Sequence, residues 1–348
     1  MNLPEFDTDA LMNFLTHLLN IPSPTGYSEK AIAFCETFLS TLPGVKLTQT
    51  NKGALVARLA GQSESPWRAL TAHVDTLGAM VKEIKPNGRL KLTRLGGYAW
   101  NTVEGEGVIV FTKNEKPVRG ALLLNKASTH VHGQDVGKTE RNDDTMEVRL
   151  DARTSSAGET ADLGIGVGDF VAFDPRVERS SGFIRSRHLD DKACVACMLF
   201  ALKSLVNAGL KPKTTTVFHV SNYEEVGHGA AAGIPAEVSE LIAVDMAAVG
   251  EGQASDEFHA TLCVKDSGGP YHYGLNRRMR MLAEKYAIPY KIDIYPHYGS
   301  DGGAFWRAGG DVAVALIGPG VDASHNYERT HTEALIATTQ WCQAYLLN

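Results

Sequence analysis

The chain has 348 residues, 43% hydrophobic and 21% charged, which fits a globular protein with a substantial core. At about 150 residues per domain, the length predicts two domains. A net charge of -6 and a pI near 6.1 argue against a nucleic-acid binder, and no apolar run is long enough to span a membrane. The start, Met1 to Asp7, is acidic and lacks the basic and apolar regions of a signal peptide, so the expected location is the cytoplasm. Five cysteines do not make a disulfide framework, and the Cys194-x-x-Cys197 pair sits in an apolar helical run as buried thiols.

Residues 7–19 carry Leu11, Phe14, Leu15 and Leu18 at helical spacing. Ser28 is positioned to cap a second helix that ends before Pro43-Gly44. Strands are predicted over 45–50 and 54–60, joined by the turn Asn51-Lys52-Gly53. The run Trp67 to Ala72 leads into His73-Val74-Asp75. From 79 to 166 short β-like segments alternate with turns, as in a small all-β unit inserted into an α/β chain. Within it, 130–144 reads as a mobile surface loop, and Gly164-Ile165-Gly166-Val167-Gly168 as a turn between strands. The α/β texture then returns. A helix follows Asp190-Asp191, a strand covers 214–220, and another ends at Asp245. Residues 250–272 and 297–303 read as loops. A helix is predicted over 275–287 and strands over 290–295 and 312–317. A loop then carries His325 and His331, and a last helix runs over 333–346.

Polar residues recur where apolar runs stop: His73, Asp75, Asp190, Glu224, Glu225, Asp245, and His325 or His331. His73 and Asp75 share one side of an extended segment, and a carboxylate beside a ligating histidine fixes its tautomer. Glu224 and Glu225 point apart if the strand continues and together if it has ended. A parallel sheet gathers such residues at its carboxyl edge. Two histidines and three or four carboxylates suit two zinc-like ions sharing one carboxylate, with a remaining glutamate free to move protons.

Ala72-His73-Val74-Asp75-Thr76-Leu77-Gly78, Leu189-Asp190-Asp191, Tyr223-Glu224-Glu225-Val226-Gly227, Val244-Asp245-Met246, Gly299-Ser300-Asp301 and Arg329-Thr330-His331-Thr332 together resemble the M42 metallo-aminopeptidases, among the di-zinc exopeptidases. The resemblance spans nearly the whole chain. It implies an α/β fold with a mixed sheet flanked by helices, formed by 1–78 and 167–348, and a β-barrel-like insert at 79–166 used for dimerisation or substrate access. It implies two divalent ions per chain, zinc first, with cobalt or manganese accommodated. His73 and His331 would hold one ion, Glu225 and Asp245 the other, and Asp190 both. Glu224 would be the general base, and Asp75 would support His73. His325 is a rival to His331, which keeps the family's interval to the last helix. The resemblance further implies a homo-oligomer built from dimers, as large as a dodecamer. The implied activity is removal of the N-terminal residue of short peptides. Water activated at the metal pair attacks the carbonyl while Glu224 carries the proton to the leaving amine. Two alternatives use the same residues: a deacylase or amidase acting on N-acylated amino acids or small amides, and a metal-binding scaffold without turnover. The spare Glu224 argues against the scaffold.

Overall fold

Four parallel strands form the centre of a mixed sheet in the computed structural model, which describes residues 2–348. In spatial order they are Thr214–Ser221, Ser63–His73, Val238–Val244 and Ala313–Asp322. The strands are buried along most of their length because both faces are covered, except for the exposed start of Ser63–His73, and Thr214–Ser221 buries several threonines and a histidine among its apolar residues. Alternate residues serve opposite faces: Leu70, Ile242 and Val244 pack on one side, and Ala69, Leu241 and Ala243 on the other. The first face is covered by helices Thr8–Leu19, Leu189–Asn207 and Thr332–Leu347, with Trp341 and Tyr345 fully buried. Leu189–Asn207 is buried around most of its circumference, so its sequence shows no single apolar stripe. Cys194 and Cys197 lie on it, and all five cysteines are free and buried. Among the described residues, no helix is long and apolar enough to cross a membrane.

The chain divides into two units, Met1–Asp75 with Arg176–Asn348, and Thr76–Pro175. The second unit is a closed six-stranded barrel, in the order Gly78–Ile84, Leu90–Leu95, Met146–Leu150, Pro117–Leu124, Gly107–Phe111 and Phe170–Phe173. Its core, including Val81, Leu92, Val108, Leu122, Val148 and Val171, alternates with outward residues along each strand. The unit extends past residue 166 because Phe170–Phe173 closes the barrel, pairing Val171 with Ala79. The tract read as a mobile loop holds two short helices, Thr129–His132 and Asp135–Lys138, and Arg141 ties it down through Glu104 at 2.8 Å. The glycine-rich turn at 164–168 follows a short helix, Ala157–Asp162, rather than a strand.

Two further departures lie in the first unit. Residues Ala260–Asp266, expected in a loop, form a strand antiparallel to Ala313–Asp322. That latter strand also runs through Gly318-Pro319-Gly320, where the strand was expected to have ended and a loop to begin. A Cβ on Gly318 would lie 1.9 Å from the Asp245 carbonyl oxygen, and one on Gly320 1.9 Å from that of Asp256. These glycines admit close backbone approach rather than opening a loop.

Candidate metal centre

The strand ending in His73 lies between the strands that lead to Glu224 and Asp245, and Ser221 is opposite His73. The three polar groups therefore leave the sheet at one carboxyl edge, where open α/β folds place their sites. After Ser221 the chain turns through Tyr223 at φ 62°, a left-handed conformation uncommon outside glycine, and enters a short 3-10 turn over Glu224–Val226. The strand has ended, so the two glutamates are free of its alternation. Asp75 holds the turn in place. Its Oδ1 accepts the Glu224 N–H at 3.2 Å, and its Oδ2 accepts the Glu225 N–H at 3.4 Å and the Thr25 hydroxyl at 2.7 Å. Farther along, Asp301 accepts the Ala230 N–H at 2.6 Å. A Cβ on Gly229 would lie 2.0 Å from the Asp301 carboxylate, so this position needs glycine.

Two triads assemble here. His73, Asp190 and Asp245 form one; Asp190, Glu225 and His325 form the other. Within each, the ligand atoms lie within 4.8 Å of one another. Asp190 belongs to both. Its Oδ1 is 3.3 Å from His73 Nε2, and its Oδ2 is 3.4 Å from His325 Nε2. Glu225 Oε2 lies 3.5 Å from the same His325 nitrogen. Glu224 stands outside both triads, with Oε2 3.7 Å from His73 Nε2. His73 Nδ1 faces the Asp75 carbonyl oxygen at 3.0 Å and its carboxylate at 3.4 Å, and the His73 N–H donates to Asp191.

Electrostatics fit cation binding. Burial opposes a charge on His73, but Asp190 and Asp75 outweigh it and hold the imidazole pKa well above its usual value. Burial likewise opposes the Asp190 anion, yet His325 and His73 outweigh it and hold that carboxyl well below the usual range. Asp75 is also held low: burial works against it, but His73, Thr25 and the Glu224 N–H prevail. The remaining acids lack such help. Burial and then the Asp190 charge push Glu225 up to about 8 and Asp245 up to about 7. Burial, with Asp245, Asp301 and Glu225 adding to it against His73, raises Glu224 well above the carboxylate range. Among the described residues, Glu225 Oε1 is buried with no hydrogen-bond partner. A buried site with surplus carboxylates and an orphaned carboxylate oxygen is short of positive charge, which divalent cations supply. The imidazole and carboxylate donors suit zinc, cobalt or manganese.

His331 is not brought to this cluster. Its ring packs against Phe183 and Phe258, with centroids 4.8 and 5.1 Å away, and its Nδ1 accepts the Glu333 N–H. A Cβ on Gly182 would come 2.3 Å from its Nε2. Of the two histidines considered for the last ligand, the structure brings His325 to the cluster and leaves His331, the one expected there, outside it. The reason is strand direction. His325 follows the carboxyl end of Ala313–Asp322, as the other groups follow theirs, whereas His331 ends an antiparallel strand, Glu328–His331, which leads away. The spatial grouping also differs from the expected one: His73 stands with Asp245, and Glu225 with His325. Asp191, Asp301 and Glu328 are buried participants that the sequence did not single out for these contacts.

The family described as M42 glutamyl aminopeptidase matches residues 53–340. A putative aminopeptidase of Bacillus subtilis, YhfE, is 49% identical over 336 residues, covering 96% of each chain. Among solved structures, an aminopeptidase from Desulfurococcus kamchatkensis superposes with a TM-score of 0.86 at 22% identity, covering 97% of this chain and 95% of that one. A TET1 peptidase from Pyrococcus horikoshii, described as assembling into a tetrahedron or a large octahedral shell, gives 0.84 at 21% identity, covering 97% and 99%. These two share the fold. The class defined at this point is a peptidase, a hydrolase with an aminopeptidase's architecture. The chain belongs to the M42 peptidase family.

Proposed function

We propose that this aminopeptidase removes the N-terminal residue of short peptides using two divalent cations, zinc by preference, and Glu224 as general base. The observation that carries the reading is the Asp190 carboxylate, whose two oxygens face two different histidines and join two three-residue ligand sets. His73 and Asp245 would hold one ion, Glu225 and His325 the other, and Asp190 both. Ions so placed polarise a carbonyl and make a hydroxide available at neutral pH. Glu224 lies beside both sets and belongs to neither, so it remains available to take the proton from water and deliver it to the leaving amine. Asp75 keeps Glu224 in place through its backbone amide. We also propose a homo-oligomer built from dimers, in line with the shells described for the Pyrococcus horikoshii relative, and a cytoplasmic location.

Metal content per chain, measured together with hydrolysis of free and N-blocked amino-acid amides, tests the reading. About two ions per chain, and chelator-sensitive cleavage of free-amine substrates only, are expected. Cleavage of blocked substrates with the same metal content would replace the aminopeptidase by a deacylase. Absence of metal uptake on reconstitution would sink the mechanism.

Single substitutions separate the two histidines. His325→Ala is expected to leave about one ion per chain and to lower kcat/KM by two orders of magnitude or more, on the scale of losing one catalytic electrostatic contact. His331→Ala should keep both ions, because its ring packs against Phe183 and Phe258. The opposite pattern would restore His331 as the ligand.

A further inference from the structure

We infer that Glu328 is a positioning residue that sets the spacing between Asp190 and His325, and thereby the affinity of the metal position they share. The inference rests on the two-ion reading above. Glu328 is fully buried. Its Oε2 accepts the N–H of Asp190 at 3.0 Å, and its Oε1 accepts the N–H of His325 at 3.0 Å. One carboxylate thus grips the backbones of two candidate ligands that are far apart in sequence.

The β ladder explains how this becomes feasible. Phe183–Ser186 pairs antiparallel with Glu328–His331, and Ser186 is opposite Glu328. The chain leaves that end of the ladder twice. It runs onward from Ser186 to Asp190, and it arrives at Glu328 from His325. Both ligand segments are irregular. Asp190 and Asp191 have non-helical dihedrals at the start of their helix, and His325 has φ 63°. A backbone amide at a helix start has no partner within the helix, and a left-handed histidine is held only by its surroundings. Glu328 supplies the external partner in both cases.

The chemistry also favours glutamate here. Each Glu328 oxygen accepts one backbone N–H, whereas an amide of the same shape would turn an NH₂ toward one of the two N–H groups. A carboxylate buried beside other carboxylates is costly, so its retention calls for a compensating role. Fixing the distance between two metal ligands is such a role, because groups that orient ligands change metal affinity about 10–100-fold when altered.

The test is a calorimetric zinc titration of metal-stripped protein for the wild type and Glu328→Gln. His73→Ala and His325→Ala identify which binding step belongs to which triad. In Glu328→Gln, the step abolished by His325→Ala is expected to weaken about 10–100-fold, at least tenfold more than the step abolished by His73→Ala. Should Glu328→Gln fail to fold, Glu328→Asp keeps both acceptors, withdraws them by one methylene and carries the same readout. Unchanged affinities would overturn the assignment. So would an equal weakening of both steps accompanied by a lower Tm, which marks a general structural role. A wild-type protein that binds no zinc would overturn the two-ion reading itself, an outcome distinct from either of these.

Discussion

Glu224→Gln is expected to lower kcat by about 10²–10⁴-fold, the range carried by a general acid–base group, while metal content and fold stay as in the wild type. Glutamine keeps the size of the side chain and leaves its backbone N–H free to donate to Asp75. It loses only the capacity to take up and return a proton. Glu224 is absent from both triads, so no ion loses a ligand. Removing a carboxylate also relieves repulsion with Asp245, Asp301 and Glu225, each of which raises the Glu224 pKa. The variant should therefore be at least as stable as the parent when stripped of metal. The measurement is kcat on a free-amine amide beside metal analysis of the same sample. Loss of an ion along with activity would make Glu224 a ligand. Wild-type turnover would remove it from the mechanism.

The elements that carry Glu224, His73 and Asp245 were legible because each is a polar group after an apolar run, and a parallel sheet collects such groups at one edge. The partnerships among them were not legible. The His73 strand has the Glu224 strand on one side and the Asp245 strand on the other. Which acid stands beside His73 depends on that spatial order and on the left-handed turn at Tyr223, neither of which sequence spacing encodes. The same edge rule, applied to Ala313–Asp322, selects His325. Extending the strand through Gly318-Pro319-Gly320 obscured it, since those residues look like the start of a loop until Asp245 is seen packed against Gly318. Ala260–Asp266 was hidden differently. Its first four residues are buried without alternation, and the run is too short for periodicity to separate strand from loop. Glu328 carried no signal, because its importance lies in two backbone amides that the fold alone brings together.

Asp190→Ala should have the broadest effect, taking metal content from about two ions per chain to nearly none and abolishing turnover. It removes the one carboxylate common to both ligand sets, leaving His73 with Asp245 and His325 with Glu225. Asp245→Ala, by contrast, leaves the Asp190, Glu225 and His325 set whole and should retain about one ion. The two variants together distinguish a bridging carboxylate from an ordinary ligand. Stability supplies an independent readout. Without metal, the Asp190 charge raises the pKa of Glu225 and Asp245, so its removal eases repulsion within a buried cluster. Two losses oppose that gain, since Asp190 also offsets charge on His73 and His325. The metal-free variant should therefore melt close to the metal-free wild type. Added metal separates them. An ion at 100 times its Kd stabilises the folded state by about 2.7 kcal/mol per site, so zinc should raise the wild-type Tm by several degrees and leave the variant unmoved. A variant that retains two ions and the same zinc-dependent rise would show that Asp190 bridges nothing, and the two-ion site would have to be rebuilt around Asp245 and Glu225.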